Sequence, residues 1–238
     1  MTRTDKGVLI FAQGEQYINC ATTLAQSIKR FSNISVYIAS DFENDLAVNS
    51  EWKIENRCTA YDISPFDKTY VFDADTILTT PLPELVNDLS FSMSPVNYNG
   101  ELVLQDTKHR KVFLENNLPN VYTGFYYFEK NDKVQQFFNL VKDITLNWQE
   151  YYKVLNPQPK HLSMDVTFAL AVKLSGVDYG DCNTQINFIH GKFFNNDYKL
   201  DLYDEVYVDY YKQKGVLHYV EKSQFTKYKE WLDEIYSS

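Results

Sequence analysis

An α/β fold with a mostly parallel central sheet is what this sequence predicts, and three observations carry that expectation. A short apolar run, Gly7–Ala12, is followed by apolar residues at helical spacing (Tyr17, Ala21, Leu24, Ile28, Phe31) and then by a second run, Ile34–Ala39. Strand, amphipathic helix and strand in that order is the unit from which parallel sheets are built. The third observation is Tyr70–Leu78, in which strand-forming residues stop abruptly at two carboxylates, Asp73 and Asp75, one small residue apart. In open α/β sheets ligands gather at the carboxyl ends of the strands, and that is where this pair falls.

The elements follow in order. Gly7–Ala12 reads as the first buried strand, the segment to Phe31 as its helix, and Ile34–Ala39 as the second strand, closed by Ser40 and Asp41. Thr69–Phe72 reads as a third strand with the two Asp residues at its end. Pro81 and Pro83 open a connection, and residues 86–120 read as an irregular, polar, Asn-rich segment. Val121–Phe128 returns as a strand interrupted by Gly124. Asn131 is suited to cap a helix lined by Val134, Phe137, Phe138 and Val141, and Ser163 to cap another running through Asp165, Phe168 and Leu174. Gln185–Ile189 and Gly215–Val220 read as short late strands, and a polar helix near Trp231 closes the chain.

Composition narrows the classes. At 238 residues, 44% hydrophobic and 16% aromatic, the chain has material for a substantial core, and a single domain over residues 1–238 is expected, with no repeat or linker to divide it. The 19 Tyr residues suit both a core and a cleft that holds rings or sugars. A net charge of −9 without a Lys/Arg run argues against a nucleic-acid scaffold. There is no stretch of eighteen apolar residues to span a membrane. The N-terminus leads into only six apolar residues before Gln13, too few for a signal peptide. Cys20, Cys58 and Cys182 are odd in number and widely spaced, which suits a reduced, cytoplasmic protein.

Side chains two apart in extended backbone share a side, so Asp73 and Asp75 are expected to present two hard oxygen ligands to one point at a solvent-facing strand end. Such a pair suits Mg²⁺ or Mn²⁺ bridging protein and a substrate diphosphate. The alternative is a pair of turn-forming aspartates.

The whole pattern resembles the glycosyltransferases of the GT-A fold, and within them family 8, the group of glycogenin and the bacterial lipopolysaccharide galactosyltransferases. Phe11-Ala12-Gln13-Gly14-Glu15-Gln16-Tyr17 is similar to the family's strand-to-helix turn, which holds the uracil of the donor. Lys68 stands five residues before Asp73, where a donor-contacting Lys or Arg is expected from the resemblance. Phe72-Asp73-Ala74-Asp75-Thr76 resembles the family's metal motif closely. Tyr122-Thr123-Gly124-Phe125, Met164-Asp165-Val166 and Leu217-His218-Tyr219 follow in family order, and the likeness spans about residues 7–231. The chain departs from the family at Val166, where the family has Gln, and at Tyr122, where it has Asn. It departs again at Glu221 and Gln224, which stand where the late motif has Gly and Lys; Lys222 or Lys227 could still reach a phosphate.

The resemblance implies a GT-A-like fold and a metal-dependent transfer of a hexose, with retention, from a nucleotide diphosphate donor such as a UDP-sugar. It implies Asp73, Asp75 and His218 as ligands of Mn²⁺ or Mg²⁺, with His190 the competing imidazole. It implies Ala12, Gln13, Gln16, Tyr17, Lys68, Asp73 and Ala74 as donor-binding residues, and Asp165 at the donor sugar or the reacting face. Each has a plainer alternative: Tyr17 as a core residue of its helix, Lys68 as a solvated strand-edge charge, Asp165 as a carboxylate stabilised in a first helical turn. The expected partners are a nucleotide sugar and a glycan or protein-attached glycan acceptor, with residues 86–120, and Asn97, Tyr98 and Asn99 in particular, forming part of the acceptor groove. Two other functions fit parts of the pattern. One is a haloacid-dehalogenase-like phosphatase with Asp73 as nucleophile, and the other is a non-catalytic binder of sugar nucleotides or carbohydrate.

Overall fold

The computed structural model describes residues 4–40, 54–92, 110–182, 186–189, 206–208, 211–213 and 216–219. Strand β1 (Thr4–Phe11) leads through a turn at Gly14 into helix α1 (Glu15–Phe31) and strand β2 (Ser35–Ala39). Gly14 has φ 79° at the helix N-cap, a conformation that any side chain would strain. A 3₁₀ turn (Ile54–Thr59) and helix α2 (Ala60–Ile63) precede β3 (Phe66–Asp73), and a two-residue turn separates β3 from β4 (Thr76–Leu78). Then come β5 (Leu89–Ser92), α3 (Lys111–Glu115), β6 (Tyr122–Glu129), α4 (Asp132–Leu146), α5 (Trp148–Tyr152), α6 (Met164–Ser175) and β7 (Gly180–Asp181). Strands β8 (Ile186–Ile189), β9 (Val206–Val208), β10 (Tyr211–Gln213) and β11 (Val216–Tyr219) complete the described chain.

The central sheet has the order β2-β1-β3-β6-β5-β7. Strands β1, β2 and β3 are parallel, β6 runs against both β3 and β5, and β7 is parallel to β5. All but β6 therefore run the same way, as the strand-helix-strand opening predicts. A second sheet, β4-β11-β8, packs beside it, and β9 and β10 form a separate pair.

Both faces of the central sheet are covered, which is why its strands read as nearly continuous apolar runs. Leu9, Val71, Leu89, Phe91, Tyr126 and Phe128 point to the side of α4, α6 and the 3₁₀ turn. Their alternating neighbours Val8, Ile10, Tyr70, Phe72, Phe125 and Tyr127 point to the side of α1 and the β4-β11 pair. The Ser27 hydroxyl, buried on α1, accepts a hydrogen bond from the Leu78 N–H at 3.1 Å and ties that helix to the small sheet. Asn131 caps α4, its side-chain oxygen accepting from the Val134 N–H at 3.0 Å, and Ser163 caps α6 through the Val166 N–H. Cys20, Cys58 and Cys182 are buried and form no disulfide.

Two sequence expectations need correction here. Residues 86–120 are not wholly irregular, since Leu89–Ser92 is a fully buried strand of the central sheet and Lys111–Glu115 is a short helix. Its four residues are too few to show a period, and the prolines ahead of it disguise a core strand as a connection. The strands that were expected differ by at most three residues at their ends, whereas β4, β7, β9 and β10 were not expected. The closing helix near Trp231 lies outside the described residues, as do Asn97, Tyr98, Asn99, His190, Glu221, Lys222, Gln224 and Lys227.

Candidate active site

The carboxyl edge of β1 and β3 is the place from which the site is built. Phe11 and Asp73 are register partners, so Ala12 and Gln13 leave β1 beside Ala74. Asp73 ends β3 and Asp75 sits in the turn into β4. The pair therefore does not converge by strand alternation. The Thr76 hydroxyl donates to the Asp73 carbonyl at 2.7 Å, and the Tyr219 N–H donates to the Asp75 carbonyl at 3.1 Å. These bonds fold the turn so that both carboxylates face β11. Nor is Asp75 solvent-facing: Asp73 is 8% exposed and Asp75 6%.

His218 arrives from the opposite direction in sequence. On β11 it is the register partner of Thr76, which sets its imidazole across from Asp75, with Nε2 3.2 Å from Asp75 Oδ1. One ligand-capable atom from each of Asp73, Asp75 and His218 lies within 4.8 Å of the others. Two carboxylates and an imidazole at this spacing suit a divalent cation of the Mn²⁺ type, since the imidazole is a softer donor than the oxygens. Burial pushes the Asp73 carboxyl above its ordinary range; the Arg57 guanidinium works against that shift and the Asp75 carboxylate adds to it. Two buried carboxylates with one neighbouring guanidinium and a neutral imidazole leave a net negative charge, which a cation would offset.

That guanidinium is a residue the sequence reading missed. Arg57, in the 3₁₀ turn, lies 2.6 Å from Asp73 Oδ1. Burial alone would lower its pKa, but Asp73 and Asp75 outweigh burial and raise it, so Arg57 stays charged. Lys68 does not take that place. It lies five residues down β3, roughly 16 Å along the strand, and pairs with Glu129 at 3.4 Å. Arg57 is the cation beside the carboxylates, and Lys68 stands apart from them. Nothing in the sequence around Arg57 signals it, because its turn has no motif and reaches the site only through the fold.

Asp165 forms a second cluster. It stands in the first turn of α6, where Oδ1 accepts from the Thr123 N–H at 2.8 Å and the Thr123 hydroxyl at 2.6 Å. Its Oδ2 accepts from Arg110 at 2.7 Å. Arg110 is itself buried: Nε donates to Asn120 Oδ1 at 2.7 Å, the third nitrogen donates to the Val121 carbonyl, and the guanidinium lies 3.8 Å from the Phe113 ring centre. Arg110 was also missed by the sequence, since it lies in the segment read as irregular.

The start of β6 joins the two clusters. Thr123 faces Asp165, while Tyr122 faces the other way and places its hydroxyl 2.6 Å from His218 Nδ1. Burial, then the carboxylates of Asp73, Asp165 and Asp75, push the Tyr122 phenol well up, so it remains protonated. At the β1–α1 turn, Ala12 is buried with its N–H on the Ala39 carbonyl at 2.9 Å. Gln13 has a buried Oε1 with no hydrogen-bond partner among the described residues. Gln16 is exposed, and Tyr17 is half-buried against the α1 face of the core, so it serves at least the plainer of its two roles.

No protein-family model matches the sequence, and no curated protein matches it significantly. Solved structures do. A mostly parallel sheet with an acidic pair at its carboxyl edge defines a ligand-binding α/β fold, and the structures it resembles are glycosyltransferases. The galactosyltransferase LgtC, solved with donor and acceptor sugar analogues, aligns over 94% of this chain and 95% of its own at 13% identity, with a TM-score of 0.54. The bifunctional glycosyltransferase WbbM aligns over 98% of this chain at 14% identity and a TM-score of 0.54. The glycosyltransferase GlyE of Streptococcus pneumoniae aligns over 97% at 15% identity and 0.52. This chain spans 51% of the length of WbbM and 64% of that of GlyE. The protein has the GT-A glycosyltransferase fold.

Proposed function

We propose that the protein is a metal-dependent glycosyltransferase that moves a hexose from a nucleotide diphosphate donor, a UDP-sugar, to a glycan or protein-attached glycan, with retention at the anomeric carbon. The observation that carries this reading is the convergence of Asp73, Asp75 and His218 at the carboxyl edge of a GT-A sheet. These three residues would hold Mn²⁺ or Mg²⁺. When bound, the ion supplies Lewis-acid stabilisation of the charge that develops on the departing diphosphate.

The chain's own residues supply the rest. Arg57 offers a planar fork of N–H donors beside the carboxylates, suited to diphosphate oxygens once Asp73 turns to a cation. Gln13 holds a buried carbonyl oxygen that an N–H of the donor base would satisfy. The half-buried Tyr17 ring is suited to stack on that base, with Gln16 and the Ala12 and Ala74 backbone beside it. Asp165 accepts three hydrogen bonds within the protein. A carboxylate has about four acceptor positions, so it retains room to orient one donor-sugar hydroxyl. Fixed by Arg110 and Thr123, the carboxylate is suited to orient that hydroxyl. Residues 86–120, with Asn97, Tyr98 and Asn99, are proposed as the acceptor-side segment, because their amides and ring suit sugar hydroxyls and faces.

The test is hydrolysis and transfer from a panel of nucleotide sugars, with and without Mn²⁺. A transferase hydrolyses its donor slowly with metal and faster when an acceptor oligosaccharide is present. Rapid hydrolysis of a simple phosphomonoester would instead support the phosphatase reading, and metal-dependent binding without any hydrolysis the non-catalytic one.

A further inference from the structure

We propose that Tyr122 is the positioning residue of the His218 imidazole, its hydroxyl acting as hydrogen-bond partner to whichever neutral tautomer the ring must adopt. The inference rests on the reading of Asp73, Asp75 and His218 as a cation site, and it adds a requirement that those three residues alone do not state.

The two ring nitrogens of His218 face different groups. Nε2 faces the Asp75 carboxylate at 3.2 Å, and Nδ1 faces the Tyr122 hydroxyl at 2.6 Å. Without a cation, a carboxylate at Nε2 calls for an N–H there, and Nδ1 must then accept. With a cation, Nε2 must offer its lone pair, and the ring proton must sit on Nδ1 and be accepted. A proton leaves Nε2 for solvent and another joins Nδ1, so the ring stays neutral and the charge of the pair is unchanged. Few partners at Nδ1 serve both states. A carbonyl or carboxylate only accepts, and an ammonium or guanidinium only donates. A hydroxyl does either by rotating about its C–O bond. Tyr122 thus keeps Nδ1 satisfied before and after binding, and it holds the ring with Nε2 toward Asp75.

The sequence builds this contact with two residues. Tyr122 and Gly124 are two apart on β6 and share a face. A Cβ at position 124 would lie 2.3 Å from Tyr122 Cε1 and 2.9 Å from its hydroxyl. Gly124 is the gap into which the Tyr122 ring lies back along its own strand. From there the ring reaches β11, its centre 6.2 Å from that of His218. A Gly in a strand interior weakens the strand, and here it gives the ring its place.

Ring ¹⁵N shifts of His218 in the full chain test the idea directly. The result expected is an Nε2–H tautomer in EDTA and an Nδ1–H tautomer with Zn²⁺ as a diamagnetic probe. Mn²⁺ affinity, read by electron paramagnetic resonance of free ion, should fall about ten-fold or more in Tyr122→Phe, with near-UV circular dichroism unchanged. Gly124→Ala, which keeps the hydroxyl but displaces it, should weaken binding in the same direction. A wild-type chain that binds no Mn²⁺ would overturn the cation site and this proposal together. Wild-type binding with undiminished affinity in Tyr122→Phe would overturn this proposal alone. Should the variants not fold, the wild-type shifts decide, and one tautomer in both states contradicts it.

Discussion

Two carboxylate clusters stand on either side of the start of β6, and they are built in opposite ways. Around Asp165 the charges balance: one carboxylate meets one buried guanidinium, and Arg110 spends its nitrogens on Asp165, Asn120 and the Val121 carbonyl. Around Asp73 two buried carboxylates share the Arg57 guanidinium, and with a neutral His218 imidazole beside Asp75 the charges do not balance. A balanced buried pair fixes backbone; an unbalanced one carries a desolvation cost that a ligand can relieve. The contrast supports the proposed reading of the Asp73 cluster as a cation site, while the Asp165 cluster holds α6 against residues 120–123 and so fixes the carboxylate proposed to orient the donor sugar.

The largest effect is expected where the imbalance is used. Asp75→Ala should reduce metal-dependent donor hydrolysis by about 10²–10³-fold and abolish Mn²⁺ binding. Activity assays alongside resonance measurements check this, and full activity with retained binding would erase the distinction between the clusters. In the balanced cluster the expected damage is to the fold. Arg110→Met strands the Asp165 carboxylate and should cost about 3–5 kcal/mol, read as a lower urea midpoint with an unchanged slope. A loss well under 1 kcal/mol would show that the cluster is not structural.

The smallest effect is electrostatic and has a definite sign. The Asp73 carboxyl is raised above the 3.8 of an ordinary Asp, by burial first, while Arg57 pulls it down. As pH climbs through that window the unfolded chain releases this proton before the folded one does. Asp73 therefore lowers the stability of the metal-free protein progressively above pH 3.8, until its folded pKa is passed. Arg57→Met should widen the window, and saturating Mn²⁺ should remove it. Carboxyl ¹³C titration of Asp73 measures it, and a midpoint below 3.8 in EDTA would reverse the argument.

How much of this was legible in the sequence follows the same division. The parallel sheet could be read from Gly7–Ala12, its helix and Ile34–Ala39, because long periodic elements declare themselves locally. The caps at Asn131 and Ser163 could be read too, since a cap needs only its own helix. That Asp73 and Asp75 lie together with His218 was expected, the pair from its spacing and the imidazole from the resemblance, but not the reason they converge: a turn pinned by Thr76 and Tyr219 replaces the strand alternation the spacing suggested. Arg57, Arg110 and the hydroxyl of Tyr122 were out of reach in role. Each acts through a partner 16, 55 or 96 residues away, and no local period records such a contact. Lys68 shows the converse, a residue near Asp73 in sequence that the extended strand sets apart from the carboxylates, against Glu129.

Isothermal titration of UDP into the full chain, first with Mn²⁺ and then in EDTA, tests the central claim most directly. If Asp73, Asp75 and His218 hold a cation that bridges to the diphosphate, UDP binds in Mn²⁺ and at least ten-fold more weakly in EDTA, a difference of about 1.4 kcal/mol or more. Asp75→Ala then shows the weaker affinity under both conditions. Equal affinity with and without metal in the wild-type chain, or no binding of UDP in either, would contradict the account.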